Sequence, residues 1–249
     1  MKHKIALFIL FSFMLSCGNG VESRFPMEKR FWNPEDYKEV YREIRFNTPE
    51  GERYPELKNP DTAPVFKKLI DRQNYMAVLN DEQLGLSHRN EIASNFFDEF
   101  RSYSDVYYST NRQDKFVYGM ELVELYKFGL DLQVYYFKLG NENILKESDD
   151  PNSSNTRRVI KSNETTLLKN YNNYLDYVNK EDGFSEQEIK AFCEGIDTAF
   201  PKLFETFPNS NLNITKKKAE LMLNKTKNDL VKSSLEQLLN SIDERQEPK

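Results

Sequence analysis

The chain reads as an all-α protein, one irregular bundle of six to eight helices over residues 32–243. Three observations predict this. Apolar residues recur at intervals of three and four along most of the 249 residues, the spacing that places side chains on one face of a helix. No stretch alternates polar and apolar residues for long enough to form a strand. The segment 113–139 carries two apolar stripes at once. One runs through Phe116, Met120, Val123, Leu130, Val134 and Phe137, broken only by Lys127; the other through Tyr118, Leu122, Leu125, Gly129, Leu132, Tyr136 and Leu139. A helix apolar over so wide an arc must be covered by others, so 113–139 is expected to be the central helix.

The remaining elements follow in order. Residues 17–31 read as a tether, and folded structure is expected to begin at Phe31-Trp32. Asn33-Pro34-Glu35 has the form of a helix start, with Asn33 as cap, Pro34 in the first turn and acid near the positive end of the dipole. Asn47–Pro64 holds Pro49, Gly51, Pro55, Pro60 and Pro64 and predicts a chain of turns. Long irregular segments in compact domains are often functional, so Tyr54 within it, together with Trp32, is a candidate partner contact. For Trp32 the competing role is a core anchor at the edge of the domain.

One helix is expected over 65–79, and another from Ser87 to about Tyr108 with Ile92, Phe96, Phe100, Tyr103 and Tyr107 on one stripe. After the central helix, 141–155 reads as an exposed polar loop, and a helix over 156–179 follows. Ser185 with Glu188 predicts a capping box, with Phe184 and Ile189 as the hydrophobic staple around it. The helix it opens turns Phe192, Cys193, Ile196 and Phe200 inward, and Pro201 is expected to kink or divide it, because proline lacks the N–H that would bond the Asp197 carbonyl. A last helix is expected over 214–242, with 244–249 as a frayed tail.

Composition narrows the chemistry. Eighteen Phe and 14 Tyr against 9 Gly argue for a well-filled core. Beyond residue 16 a single histidine remains, His88. A zinc site needs several His or Cys ligands, and a di-iron bundle needs two Glu-x-x-His motifs. A Ser-His-Asp or Cys-His set would depend on the same residue, so neither a metal, a cofactor nor an enzymatic activity is expected. Glu121/Glu124 and Asp98/Glu99 read as solvated helix faces; an all-carboxylate site is the catalytic arrangement the composition leaves open. Cys193, on an apolar stripe, reads as a buried thiol with a raised pKa. The acidic turn 179–188 fails as a calcium loop: with Gly183 at the sixth position, Val178 and Lys180 fall where the first and third ligands belong. The triplets Asp61-Thr62-Ala63 and Asp197-Thr198-Ala199 resemble the acceptor of a bacterial O-glycosylation system, Thr62 being the more accessible.

The first seventeen residues carry the strongest signal. Lys2 and Lys4 precede an eleven-residue, mostly apolar run, Ile5–Leu15, and the segment closes Met14-Leu15-Ser16-Cys17. That is a secretory signal in form, and eleven residues are about half of the ~20 a membrane-spanning helix needs. The closing tetrapeptide resembles the lipobox of bacterial lipoproteins, in which an apolar pair and a small residue precede the cysteine that is lipidated. The resemblance implies that Cys17 becomes residue one of a chain bearing acyl groups such as palmitate, enough to anchor it stably. The competing reading is an ordinary secretory signal that happens to hold a cysteine. Gly18 stands where an aspartate would imply retention in the inner membrane, and Glu22 is the only acid among the next few residues. The expected location is therefore the outer membrane, its periplasmic face rather than the cell surface.

Without Met1–Ser16 the chain keeps 33 of its 35 Lys+Arg and all 40 Asp+Glu, a formal charge of −7. That acidity excludes nucleic acid as the expected partner. The role expected is a non-enzymatic accessory subunit of a membrane-associated complex, held by its lipid and contacting an envelope protein. The alternative is a solute- or glycan-binding lipoprotein with an aromatic-lined pocket. Cys17→Ser is expected to abolish palmitate incorporation and release the protein from the membrane fraction; labelling equal to wild type would contradict the lipid anchor.

Overall fold

A computed structural model describes residues 24–113 and 117–246. The architecture is all-α, with no strand among the described residues. In chain order the helices are α1 (Pro34–Phe46), α2 (Ala63–Leu69), α3 (Gln73–Leu79), α4 (Leu86–Gln113), α5 (Gly119–Glu147), α6 (Ser154–Leu175), a 3-10 segment (Asp176–Gly183), α7 (Glu186–Thr206), α8 (Asn213–Lys225) and α9 (Asp229–Gln246).

α5 is the central helix, packed against α4, α6 and α7. Its two apolar stripes serve two separate cores. Val123, Leu130, Val134 and Phe137 join the core built from α6, α7, α8 and α9. Tyr118, Leu122, Leu125, Leu132 and Leu139 join the core of α1–α4, where Phe128 also enters. Each large apolar side chain buried this way contributes about 1.5–3 kcal/mol, so a helix shared by both cores ties the halves into one unit. Lys127, the break in the first stripe, reaches out to Glu124 at 3.1 Å and to Glu194 of α7 at 2.8 Å.

Several boundaries differ from the expectation. α5 starts at Gly119, not 113, and runs on to Glu147 through the polar stretch expected as a loop. Its continuation is held from outside: Asn141 is buried and accepts an amide N–H from Asn163 of α6 at 2.8 Å. The expected helix over 65–79 is divided into α2 and α3 at Asp71, whose carboxylate accepts the Gln73 N–H. The expected last helix is divided into α8 and α9. There Glu181 accepts the Lys227 N–H and the Thr226 hydroxyl, and Asn228 caps α9 through the Leu230 and Val231 N–H groups. Pro201 does not divide α7. Pro201 and Asp197 both lie on its exposed side, the side on which a missing backbone hydrogen bond costs least because water can replace it.

Capping follows the sequence more closely. Asn33 and Ser185 each accept the N–H three residues on, from Asp36 and Glu188, which in turn accept the cap residue's own N–H. The tether is shorter than expected, because residues 24–31 already belong to the fold. Phe25 is buried, Trp32 Nε1 donates to Pro26 O, Arg24 donates to Asn47 O, and Lys29 pairs with Asp36. α9 likewise extends past 242, where Arg245 donates to Phe204 O at 3.1 Å; residues 247–249 lie outside the described residues.

α4 packs tightly on α5 at Gly129, where an added Cβ would overlap the Phe100 ring. Alanine there gains up to ~1 kcal/mol in helix propensity but forces an overlap that costs ~1–3 kcal/mol in a packed core. Overlap wins. Gly129→Ala is expected to lower unfolding stability by about 1–2 kcal/mol in a denaturant titration, while Gly85→Ala, which meets open space, should leave it within about 0.5 kcal/mol.

Candidate functional site

The residues singled out from the sequence fall in different places. Cys17 lies outside the described residues. Trp32 is 0 % exposed: its N–H donates to Asn74 Oδ1 at 2.9 Å and its ring meets Tyr37 edge-on. It is a core anchor and offers no surface to a partner. His88 is exposed in the first turn of α4. Cys193 is buried, and burial pushes its thiol pKa up.

The Asn47–Pro64 segment is irregular, as expected, but it is clamped onto α4 and α5. Tyr107 donates to Pro55 O at 2.7 Å, Tyr118 Oη accepts the Tyr54 N–H at 2.9 Å, and Glu121 accepts the Leu57 N–H at 2.6 Å. Tyr54 is half-buried, stacked on Tyr118 at 5.8 Å. Thr62 is half-buried too, and its hydroxyl accepts the Glu56 N–H. Thr198 lies exposed in α7, with its hydroxyl on Glu194 O.

Glu121 corrects an expectation. Far from a solvated face, it is 3 % exposed. Burial raises its carboxyl pKa, while the Leu57 N–H pulls the other way. The other buried acids, Asp36 and Glu188, serve as helix caps. Among the described residues no group of three or more His, Cys, Asp or Glu is placed to hold a metal ion.

A different region has the geometry of a site. α4 and α6 both pack on α5, and between them, above α5, a cleft of about 440 Å³ opens. Its aromatic lining comes from all three sides: Phe97 and Tyr108 on α4, Tyr126 on α5, Tyr174 and Tyr177 at the end of α6 and beyond. Tyr126 and Tyr177 lie 5.2 Å apart, tilted to one another. Burial raises both phenol pKa values, so their hydroxyls stay protonated and able to donate.

Polar groups converge on the same space. Gln133 on the floor donates to Gly129 O and accepts from Asn170 at 2.6 Å. Arg101, Asp105 and Asn173 line the rim, exposed to solvent. Lys180 sits 4.8 Å from the Tyr177 ring and 5.4 Å from the Tyr108 ring, the distance of a cation–π contact.

A second cleft, of about 280 Å³, lies between α5 and α7. It is organised around Asp131, which pairs with Arg72 Nε at 2.6 Å and with Lys202, and accepts from Tyr75. These ionic groups are already matched within the chain, which is a structural arrangement.

Sequence reasoning locates none of this aromatic cleft. A signal was present: Phe97, Tyr108, Tyr126 and Tyr177 fall off the apolar stripes of their helices, aromatic residues the core does not require. In comparisons with known proteins, no family model, no curated protein and no solved structure matches the chain.

The Glu121 clamp has a pH signature. A carboxyl whose folded pKa is raised binds its proton more tightly in the folded state, so stability falls as pH climbs from its ordinary value of 4.5 through the folded value. Glu121→Gln keeps an oxygen for the Leu57 N–H and stays neutral. Its thermal midpoint relative to wild type is expected to rise progressively between pH 4.5 and 7; a difference independent of pH would contradict the buried acid.

Proposed function

We propose that this chain is a lipid-anchored envelope protein that binds a solute or glycan in the α4–α5–α6 cleft, without a chemical step. The observation that carries the reading is the lining itself. Partly exposed rings of Tyr108, Tyr126 and Tyr177 stand beside the amides of Gln133, Asn170 and Asn173. Ligand pockets typically measure ~300–1,000 Å³ and combine apolar walls with a few placed polar groups; this cleft has both. The rings supply flat faces for the C–H surfaces of a sugar or a planar solute, and the amides pair with its hydroxyls.

The Cys17 anchor fits such a role. With residues 24–31 in the fold, the six residues 18–23 reach at most ~20 Å, against ~45–50 Å for a fourteen-residue tether over 18–31. The cleft is thereby held close to the periplasmic face of the outer membrane.

One observation favours the accessory-subunit reading. Ile214 and Leu221 on α8, 71 % and 48 % exposed, lie two turns apart on one face. The patch is small, and the cleft is the better-built feature.

Isothermal titration of the detergent-solubilised mature protein with neutral saccharides tests the binding reading. Tyr126→Ala and Tyr177→Ala are each expected to weaken binding about three- to tenfold, the loss of one stacked ring worth about 0.5–1.5 kcal/mol. Binding unaffected by both substitutions, or no binding by any saccharide, would overturn the assignment.

A further inference from the structure

The chain joins the fold at one end of α1. Phe25 is buried, and Arg24 is held twice, donating to Asn47 O at 3.1 Å and pairing with Glu52 at 3.8 Å. Asn47 is the residue directly after α1. The bonds from Trp32 Nε1 to Pro26 O and from Lys29 to Asp36 fix the residues between. Residue 24 is therefore pinned beside the C-terminal end of α1. A bilayer tied to the chain through Cys17 lies within the ~20 Å that residues 18–23 can span.

That end of α1 presents an unusual surface. Its last residue, Phe46, is 72 % exposed, although phenylalanine is ordinarily turned inward. Tyr41, half-buried, meets the Phe46 ring edge-on at 6.3 Å. At ~100° per residue, Tyr41, Arg45, Arg42 and Phe46 follow one another around about 140° of the helix surface. Tyr37, Val40 and Ile44 carry the face that packs into the core. Both arginines of the arc are exposed, and among the described residues neither has an ion-pair partner. Arg24 and Arg53 differ in this, pairing with Glu52 and Glu56. Glu43, the acid nearest in sequence, accepts instead from the Asn47 amide at 2.6 Å.

Resting on the lipid anchor of the reading above, we propose that this arc is a membrane-docking face. Phe46, with Tyr41 beside it, sits at the headgroup level of the bilayer that carries the anchor, and Arg42 and Arg45 reach lipid phosphates. Aromatic rings flanked by long cationic side chains are the pattern of helices that lie in a bilayer interface. The stem of an arginine covers apolar surface while its guanidinium stays in the polar layer, and the planar fork pairs with phosphate oxygens. A single exposed phenylalanine is ordinary on a protein surface. This one is set apart by the tether, which keeps it from leaving the membrane. Ile214 and Leu221 have no such tie, because α8 packs on α6, α9 and the 3-10 segment, whereas α1 packs on α4.

The test uses the mature lipidated protein in vesicles of phosphatidylglycerol and acyl-brominated phosphatidylcholine, since bromine quenches an indole that reaches the bilayer. The chain has one tryptophan, Trp32, enclosed in the core, so wild-type emission should be the same in plain and brominated lipid. Phe46→Trp places an indole at the proposed contact and is expected to lose roughly half of its added emission, as a ring at headgroup level. Adding Arg42→Glu and Arg45→Glu should restore most of that loss; all three positions are exposed, so no core contact is removed. Ile214→Trp, the same reporter on α8, should stay unquenched. Flotation of the vesicles separates the two readings. Protein that floats with them while Phe46→Trp is unquenched, or while Ile214→Trp is quenched in its place, overturns the docking face and leaves the anchor intact. Protein that fails to float overturns the anchor and the docking face together.

Discussion

α5 is apolar on two faces, and that single constraint shapes the molecule. A helix with one buried stripe can lie on a surface; one with two must be enclosed. Here the enclosure is divided. Val123, Leu130, Val134 and Phe137 face one core, and Tyr118, Leu122, Leu125, Leu132 and Leu139 face the other. The N-terminal helices and the C-terminal helices therefore meet chiefly through α5 rather than through each other. Gly129 sharpens the arrangement, because only a residue without a side chain lets the Phe100 ring of α4 sit so close to the α5 backbone.

The cleft follows from the same packing. α4 and α6 are both laid along α5 but belong to different cores, and no close packing joins them. What remains between them is a channel floored by the central helix. Its lining joins the edges of both cores, with Tyr126 and Tyr177 packed against them but still partly open, to the carboxamides of Gln133 and Asn170. Gln133 accepts an N–H from Asn170 across the floor of the cleft. An interior arranged for stability alone would fill such positions with apolar side chains.

The features legible from sequence were those set by local spacing. The stripes of α5 and the caps at Asn33 and Ser185 depend on residues within a few turns of each other, and the structure reproduces them. The features missed depend on partners far away in the chain. Glu121 is buried because Leu57, 64 residues earlier, brings an N–H to it. α8 and α9 are separate because Glu181, 46 residues before Lys227, holds the break. For Trp32 the sequence left partner contact and core anchor both open, and the choice is made by Asn74 and Pro26, which accept its two N–H groups. The cleft was hidden for the same reason: Tyr108, Tyr126 and Tyr177 come from three segments that only the packing of α4 and α6 on α5 unites.

The central claim is that ligand lies between α4 and α6 over α5, and amide hydrogen exchange of the mature protein with and without a bound oligosaccharide tests it most directly. Added protection is expected to be confined to 97–108 on α4, 126–133 on α5 and 170–180 on α6 and the 3-10 segment, with α8 and α9 unchanged. Protection centred on α8, around Ile214 and Leu221, or spread evenly over the bundle, would contradict it.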